Sequence, residues 1–124
     1  MTATKPLAFV VDDEEVIAST LALILEGSGF DAIAFTEPLL ALAAAEKHCP
    51  DFLVTDVSMP VMNGVDLAVQ FKAIFPMCRV LLFSGVPSSG GLVQKARDEG
   101  HEFEILAKPV HPNELLNTLK GLST

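Results

Sequence analysis

The sequence predicts an α/β protein in which helices cover both faces of a doubly wound, parallel five-stranded sheet, (βα)5. Two observations indicate this fold: short apolar runs alternate with longer segments of helical periodicity, and polar residues follow several of those runs. Right-handed crossovers leave few topologies for such a chain, and the strand order 2-1-3-4-5 is a common one. In that topology, ligands bind outside the carboxyl ends of the strands, beside the switch point between the first and the third.

The five predicted strands are short apolar runs separated by longer helical patterns and turn-forming residues. They are Leu7–Val11, Asp31–Phe35, Phe52–Thr55, Val80–Phe83 and Phe103–Leu106. This alternation is typical of parallel strands that are joined by helical crossovers.

The first three helices are predicted from apolar residues spaced three or four apart and from their stop signals. Glu14–Glu26 has one apolar face and ends at Gly27, a residue type that commonly terminates helices. Glu37–Lys47 is rich in Ala and Leu and is stopped by Pro50. Gly64–Phe75 keeps its apolar residues in helical register and is followed by a proline.

The last two helices have contrasting starts. Gly91–Glu99 follows the stretch "GVPSSGG", and each Gly inside a helix costs about 1 kcal/mol relative to Ala. This composition is consistent with a mobile surface over residues 85–99 or with a plain long loop. The fifth helix begins with Pro112, which suits the first helical position, and is predicted to end before Gly121.

Composition limits the classes of protein to which the chain can belong. The 124 residues suffice for one domain, and a net charge of −8 argues against direct binding to nucleic acid or to anionic membranes. Cys49 and Cys78 lack metal-ligand spacing and are interpreted as reduced thiols. The apolar run near the amino terminus is too short for a signal peptide or a membrane span. We therefore expect a single cytoplasmic domain over residues 1–124, without an output domain and without membrane insertion.

Four consecutive carboxylates, Asp12 to Glu15, follow the first strand and allow two interpretations. Acidic residues open helices, where Asp caps free N–H groups and Glu complements the positive end of the helix dipole. Alternatively, converging carboxylates require a cation, because two unit charges about 4 Å apart repel by roughly 4 kcal/mol at an effective dielectric near 20. This stretch by itself leaves both interpretations open.

Five polar residues are predicted to lie at one edge of the sheet, where four of the strands end. They are Asp12, Asp13, Asp56, Ser84 and Lys108. Each of them alone has a structural explanation as a turn former, a cap or a solvated lysine. Together, three carboxylates form an oxygen-rich site of the kind that Mg²⁺ accepts. With a hydroxyl and an ammonium group beside them, they are the groups that phosphoryl transfer to a carboxylate needs.

Four segments, VVDDEE, VTDVSMPVMNG, LLFSG and LAKP, resemble the defining motifs of the response-regulator receiver domain, a flavodoxin-like three-layer fold. The resemblance covers essentially the whole chain. The spacing from Asp56 to Met59-Pro60 and then to Gly64 is its most specific part. The order 2-1-3-4-5 is also that of this family, so it is not a prediction independent of the resemblance.

The resemblance implies a role for each residue at the start of the predicted site. Asp56 corresponds to the phosphoacceptor. Asp13 corresponds to a ligand of Mg²⁺, and Asp12 supports it. Asp56 itself and the backbone carbonyl of Ser58 would supply further ligands. The two glutamates that follow Asp13 are then left to open the first helix.

The later motifs complete the implied site. Ser84 matches the hydroxyl residue that bonds one phosphoryl oxygen, and Lys108 matches the lysine that pairs with another. Pro109 would follow a cis peptide bond, which for an X–Pro pair costs only roughly 0.5–1 kcal/mol.

Some positions depart from the family pattern. Receivers usually relay phosphorylation through an aromatic residue three positions before the lysine, and Ile105 stands there. Phe103 is the nearest aromatic residue, and it is equally explained as part of the core. Ser58 and Val86 match positions that influence how water reaches the phosphoaspartate, and Val86 offers no hydrogen bond to orient that water.

The implied function is that of a phosphorylation-switched signalling module of a two-component system or phosphorelay, which turns over no separate substrate. Its partners would be a sensor histidine kinase or a histidine phosphotransfer protein, and a downstream protein. Mg²⁺ would be its cofactor.

Three alternatives belong to other functional classes. A constitutive interaction module would keep the fold and lack the switch, which Ile105 and the weak fourth helix suggest. A flavodoxin-like FMN carrier would need a phosphate cradle after the first strand, where the acidic stretch repels phosphate. A metal-dependent phosphatase would release phosphate from a separate substrate.

Overall fold

A computed structural model describes residues 5–85, 90–101 and 103–122 of the chain. Strands and helices alternate in the predicted order. They are β1 Leu7–Val11, α1 Glu15–Glu26, β2 Asp31–Phe35, α2 Pro38–Ala45, β3 Phe52–Asp56, α3 Gly64–Ile74, β4 Arg79–Ser84, α4 Gly90–Asp98, β5 Glu104–Ala107 and α5 Pro112–Leu122.

The strands form one parallel sheet in the order β2-β1-β3-β4-β5, which confirms the predicted doubly wound topology. β1 lies between β2 and β3, and Phe9 pairs with Ile33 on one side and with Leu53 on the other. The winding of the chain therefore reverses between β1 and β3, and a crevice is expected outside their carboxyl ends.

Each central strand contributes alternate side chains to two hydrophobic cores, because successive residues of a strand point to opposite faces. In β1, Phe9 and Val11 belong to the cluster that contains side chains of α2 and α3. Ala8 and Val10 belong to the cluster that contains side chains of α1 and α5. The protein thus has three layers, and its sheet is covered on both faces.

The strand bounds differ from the prediction at three strands. β3 continues to Asp56, and β4 runs from Arg79 to Ser84. β5 is Glu104–Ala107 and not Phe103–Leu106, because the backbone of Ala107 pairs with Ser84. The prediction followed apolar side chains, whereas pairing of the backbone sets where a strand ends. Two candidate site residues are consequently the last residues of their strands.

Helix bounds differ from the prediction by one or two residues. α2 ends at Ala45, two residues before the predicted Lys47. The fifth helix continues through Gly121 to Leu122, so the prediction that it ends before Gly121 is wrong. Val86 and part of the predicted mobile surface over residues 85–99 lie outside the described residues, and both stay predictions.

Gly64 begins α3 and packs directly against the end of β3. Its N–H donates to the carbonyl of Val57 at 2.8 Å, and a Cβ atom at this position would overlap the carbonyl oxygen of Asp56. The loop between β3 and α3 therefore requires glycine here. Asn63, just before it, caps the helix, because its side chain accepts from the N–H of Asp66 at 2.8 Å.

Replacing Gly64 with Ala is expected to destabilise the protein by about 3 kcal/mol, at the upper end of overpacking costs, because backbone atoms must move. The free energy of unfolding from urea titration measures the change. Gly121→Ala is the matched control. It introduces the same methyl group where nothing lies within 4 Å and is expected to stabilise α5 by up to about 1 kcal/mol. Equal effects of the two substitutions would contradict the packing argument.

Candidate functional site

The carboxyl ends of β1 and β3 bring two aspartates together. Val11 pairs with Thr55, so the residues that follow, Asp12 and Asp56, are neighbours at the sheet edge. The N–H of Asp12 also donates to the carbonyl of Phe35 at 3.0 Å, which continues the pairing with β2. The side chains are thus positioned by the sheet itself.

Asp12 has both of the roles that the acidic stretch left open. Its side chain is fully buried; Oδ1 accepts from the N–H of Glu14 at 2.8 Å, and Oδ2 accepts from Nζ of Lys108 at 3.2 Å. Glu14 is the N-cap residue of α1 without a side-chain cap bond, and Glu15 is the acidic residue of the first turn. One carboxylate therefore shapes the turn into α1 and belongs to the site.

Asp56 is the last residue of β3 and is only 5% exposed. Its Oδ1 accepts from the N–H of Ser58 at 3.4 Å, which is a long hydrogen bond. Its backbone carbonyl accepts from Oγ1 of Thr55 at 3.0 Å. The carboxylate is thus held at the edge of the sheet, at the end of a buried strand.

Lys108 joins the two buried carboxylates. Its Nζ lies 3.2 Å from Oδ2 of Asp12 and 3.3 Å from Oδ2 of Asp56. The same ammonium lies 5.1 Å from the ring centroid of Phe83, within the range of a cation–π contact. The backbone N–H of Lys108 donates to the carbonyl of Ser84 at 2.9 Å, and the predicted cis bond between Lys108 and Pro109 is confirmed.

The pKa values of Asp56 and Lys108 are both raised, but for different reasons. Burial raises the pKa of the Asp56 carboxyl above its ordinary 3.8; the Lys108 charge opposes this and the Asp12 charge adds to it. Burial lowers the pKa of the Lys108 ammonium, but the charges of Asp56 and Asp12 outweigh burial and raise that pKa above 10.5. Lys108 therefore stays charged, whereas ionised Asp56 would be favoured by a further cation.

Asp12, Asp13 and Asp56 each offer one carboxylate oxygen, and these oxygens lie within 4.8 Å of one another. Ligands on opposite sides of a Mg²⁺ ion are roughly 4 Å apart, since each bond is about 2.1 Å. Asp13 is exposed, so the cluster is open to solvent on that side. The donor set fits Mg²⁺, which prefers oxygen ligands and keeps several waters.

The structure places the remaining predicted residues around this cluster. Ser84 ends β4 and is 7% exposed, next to Phe83, which pairs with Asp56. Ser58 is exposed two residues after Asp56. The sheet therefore brings Asp12, Asp56, Ser84 and Lys108 to one edge, with Asp13 at its open side.

The position of the usual aromatic relay and the nearest aromatic residue lie in β5 and just before it. Ile105 is 39% exposed in β5. Phe103 precedes β5; it is partly buried against the α2 and α3 cluster, and its ring stacks on His101 with centroids 6.0 Å apart. Phe103 is thus accounted for as core packing.

Sequence reasoning missed two contributors. Phe83 lies under the Lys108 ammonium, and Thr55 is a fully buried polar residue that bonds to the carbonyl of Asp56. The polar Thr55 inside an apolar run was a visible signal. Phe83 gave none, because it resembles any buried strand residue.

Residues 8–120 match the response regulator receiver domain. The chain belongs to this family. Receiver domains are the signalling modules of two-component response regulators and are not metabolic enzymes.

Individual relatives of this receiver domain include two transcriptional regulators. This chain is 32% identical over 122 residues to the transcriptional regulatory protein CreB of Escherichia coli K12, and the match covers 95% of this chain and 51% of CreB. It is 41% identical over 113 residues to the alkaline phosphatase synthesis transcriptional regulatory protein PhoP of Bacillus subtilis, covering 91% of this chain and 46% of PhoP. The chain spans about half the length of these curated relatives.

A solved structure resembles the receiver domain over nearly its full length. The chemotaxis protein CheY4 of Vibrio cholerae superposes with a TM-score of 0.82 at 27% identity, covering 96% of this chain and 99% of that chain. Among the described residues, no helix has the length and apolar character needed to span a membrane.

Asp56→Asn is expected to stabilise the receiver at pH 7 when divalent cations are absent. Because folding raises the pKa of Asp56, the folded state holds the proton more tightly, and stability is lost as the pH rises from about 3.8 through the folded pKa. Asparagine removes this loss. Its advantage in free energy of unfolding, measured by urea titration, should be largest at pH 7 and shrink towards pH 4.

Asp31→Asn is the matched control, since Asp31 is exposed on β2. It should give no comparable gain. A gain for Asp56→Asn that does not change with pH would contradict the linkage argument.

Proposed function

We propose that this receiver domain is a phosphorylation-switched module that accepts a phosphoryl group on Asp56 from a histidine kinase or a histidine phosphotransfer protein. The observation that carries the proposal is the pairing of Lys108 with two buried carboxylates, Asp12 and Asp56, at 3.2 and 3.3 Å. A structural lysine has no need of two buried anions, because buried charges are costly to maintain.

The proposed reaction uses Asp56 as a nucleophile. A carboxylate oxygen attacks the phosphorus of phosphohistidine, the P–N bond breaks, and the imidazole leaves with the electron pair and takes up a proton. Lys108, already 3.3 Å from Oδ2 of Asp56, would then pair with an oxygen of the transferred group. The Ser84 hydroxyl, at the end of the adjacent strand, would donate to another.

We assign the Mg²⁺ site to Asp12, Asp13 and Asp56, with the backbone carbonyl of Ser58 as a further ligand. The support is the donor set, three carboxylate oxygens within 4.8 Å with an exposed side at Asp13. When bound, the ion would neutralise charge on the phosphoryl oxygens. Phosphorylation changes the state of the protein itself, so no separate substrate would be turned over.

An apolar groove beside the site is a candidate docking surface for the phosphodonor protein. It has a volume of about 450 Å³ and runs between α1 and the residues after β5, with Ile17, Pro109 and Val110 among its lining. Val16 at its rim is 77% exposed, and Lys108 lines both groove and site. A protein seated there would lie next to Asp56.

We further propose that residues 1–124 form one receiver domain that signals through a downstream protein and does not itself contact nucleic acid. The net charge of −8 supports this, since DNA repels such a surface. The transcriptional roles named for CreB and PhoP are not assigned to this chain. A cytoplasmic location is supported by the family and by the free thiols of Cys49 and Cys78.

Incubation with a small acyl phosphate and Mg²⁺ is expected to add one labile phosphoryl group, detected by intact-mass spectrometry. Asp56→Asn should abolish the adduct, and so should removal of Mg²⁺ by EDTA. Asp31→Asn, at an exposed aspartate outside the site, should leave it unchanged. No adduct on a correctly folded wild-type chain would favour the constitutive interaction module. Release of phosphate from many equivalents of donor would favour a phosphatase.

Val16→Asp is expected to slow phosphoryl transfer from the cognate phosphodonor protein about tenfold, because burying a carboxylate in an apolar interface is costly. Phosphorylation by the small acyl phosphate should not change. The control is Leu23→Asp, two turns further along α1, where the leucine is 68% exposed and does not line the groove. Equal slowing by both variants would show that the groove is not the docking surface.

A further inference from the structure

The amino ends of the strands, opposite the aspartate cluster, collect the positive charge of an acidic protein. Five of the eight Lys and Arg residues line two clefts there: Lys5, Lys72, Arg79, Arg97 and Lys120. Arg79, the first residue of β4, lines both clefts. Among the described residues, the two clefts together are lined by five cations and two carboxylates, Asp51 and Glu104, in a chain with a net charge of −8.

The larger of these clefts, here called the amino-end cleft, has a volume of about 710 Å³. Lys72, Arg79 and Arg97 are its cations, and Glu104 is the one carboxylate among the described residues that line it. Volumes of 300–1,000 Å³ are typical of sites for small ligands. The cleft is therefore large enough for a small molecule and carries an excess of positive charge.

The three cations of the amino-end cleft are not neutralised by acidic side chains among the described residues. Nζ of Lys72 donates to the carbonyls of Pro76 and Cys78 at 3.0 and 2.8 Å. These two bonds leave the third N–H group of the ammonium for a ligand. Lys72, Arg79 and Arg97 make no ion pair with any carboxylate within residues 5–85, 90–101 and 103–122. Like charges that share a cleft repel, so an anion bound among them would be favoured.

The rest of the lining is apolar. Phe103, Ile105 and Leu122 line the same cleft, and the Phe103 ring, which also stacks on His101 and packs partly into the core, is the aromatic part of this lining. An apolar wall beside several cations suits a ligand that combines a flat ring with multiple negative charges. We infer that the amino-end cleft binds a small anionic ligand of this kind, a nucleotide with two or more phosphates being the biological class that has both features.

Titration of the full chain with ATP tests the inference, with EDTA present so that no divalent cation occupies the aspartate cluster. Amide chemical shifts in ¹⁵N NMR spectra should change saturably around Lys72, Arg79 and residues 103–105, and not around Asp56. Arg79→Gln and Arg97→Gln should each weaken binding by about tenfold, the usual loss for one charge-assisted hydrogen bond. Arg97 is exposed on α4, so its substitution should leave the fold intact.

Lys95→Gln is the matched control, because it removes the same charge from the same helix outside the cleft. It should bind ATP as the wild type does. Inorganic triphosphate and adenosine, which carry the charge and the ring separately, should each bind more weakly than ATP. The inference is overturned by absence of saturable shifts, by shifts centred on Asp56, by affinity that Arg79→Gln and Arg97→Gln leave unchanged, or by triphosphate binding as tightly as ATP.

Discussion

The site depends on one ammonium group placed between two buried carboxylates. Asp12 and Asp56 are 0% and 5% exposed, and two such anions at the ends of neighbouring strands would repel strongly without a cation. Lys108 reaches both and is itself supported by the ring of Phe83 and by backbone pairing with Ser84. Losing Lys108 from this arrangement would leave two buried carboxylates uncompensated, which costs more than the pairing contributes. The ammonium that neutralises the two buried carboxylates is therefore the same group that the proposed phosphoryl chemistry would use.

The three-layer packing is what makes this placement possible. Alternate side chains of β1 fill cores on both faces of the sheet, so a shift of the strand by one residue would move Phe9 and Val11 from one core into the other, where Ala8 and Val10 now pack. Register in turn sets which residues meet at the carboxyl edge, because Val11 pairs with Thr55 and Phe83 with Asp56. The geometry of the charged cluster is thus determined by apolar packing a few residues away along the strands.

Much of this could be predicted from the sequence, for an identifiable reason. Strand order and the meeting of Asp12, Asp56, Ser84 and Lys108 follow from topology, which periodicity and motif resemblance both indicate. Exact strand ends could not be predicted, because β5 begins where its backbone pairs with β4 and not where apolar residues begin. The contact of Phe83 with Lys108 was also out of reach, since a strand residue's ring plane depends on tertiary packing. The positions of side chains, which depend on strand register, were therefore predictable, whereas contacts that depend on side-chain orientation were not.

The absence of an aromatic residue at Ile105 alters how a signal could leave the site. Backbone contacts join the site to the end of β5: the backbone N–H of Lys108 donates to the carbonyl of Ser84, and Ala107 pairs with the same residue. If a phosphoryl group drew Lys108 away from Asp12, the backbone contacts between the ends of β4 and β5 would be displaced directly. Ile105 lies in the same short strand and is 39% exposed, so a shift of β5 would change the surface it presents without any ring rotation. Such a shift of β5 would couple the charged cluster to an exposed face without an aromatic relay.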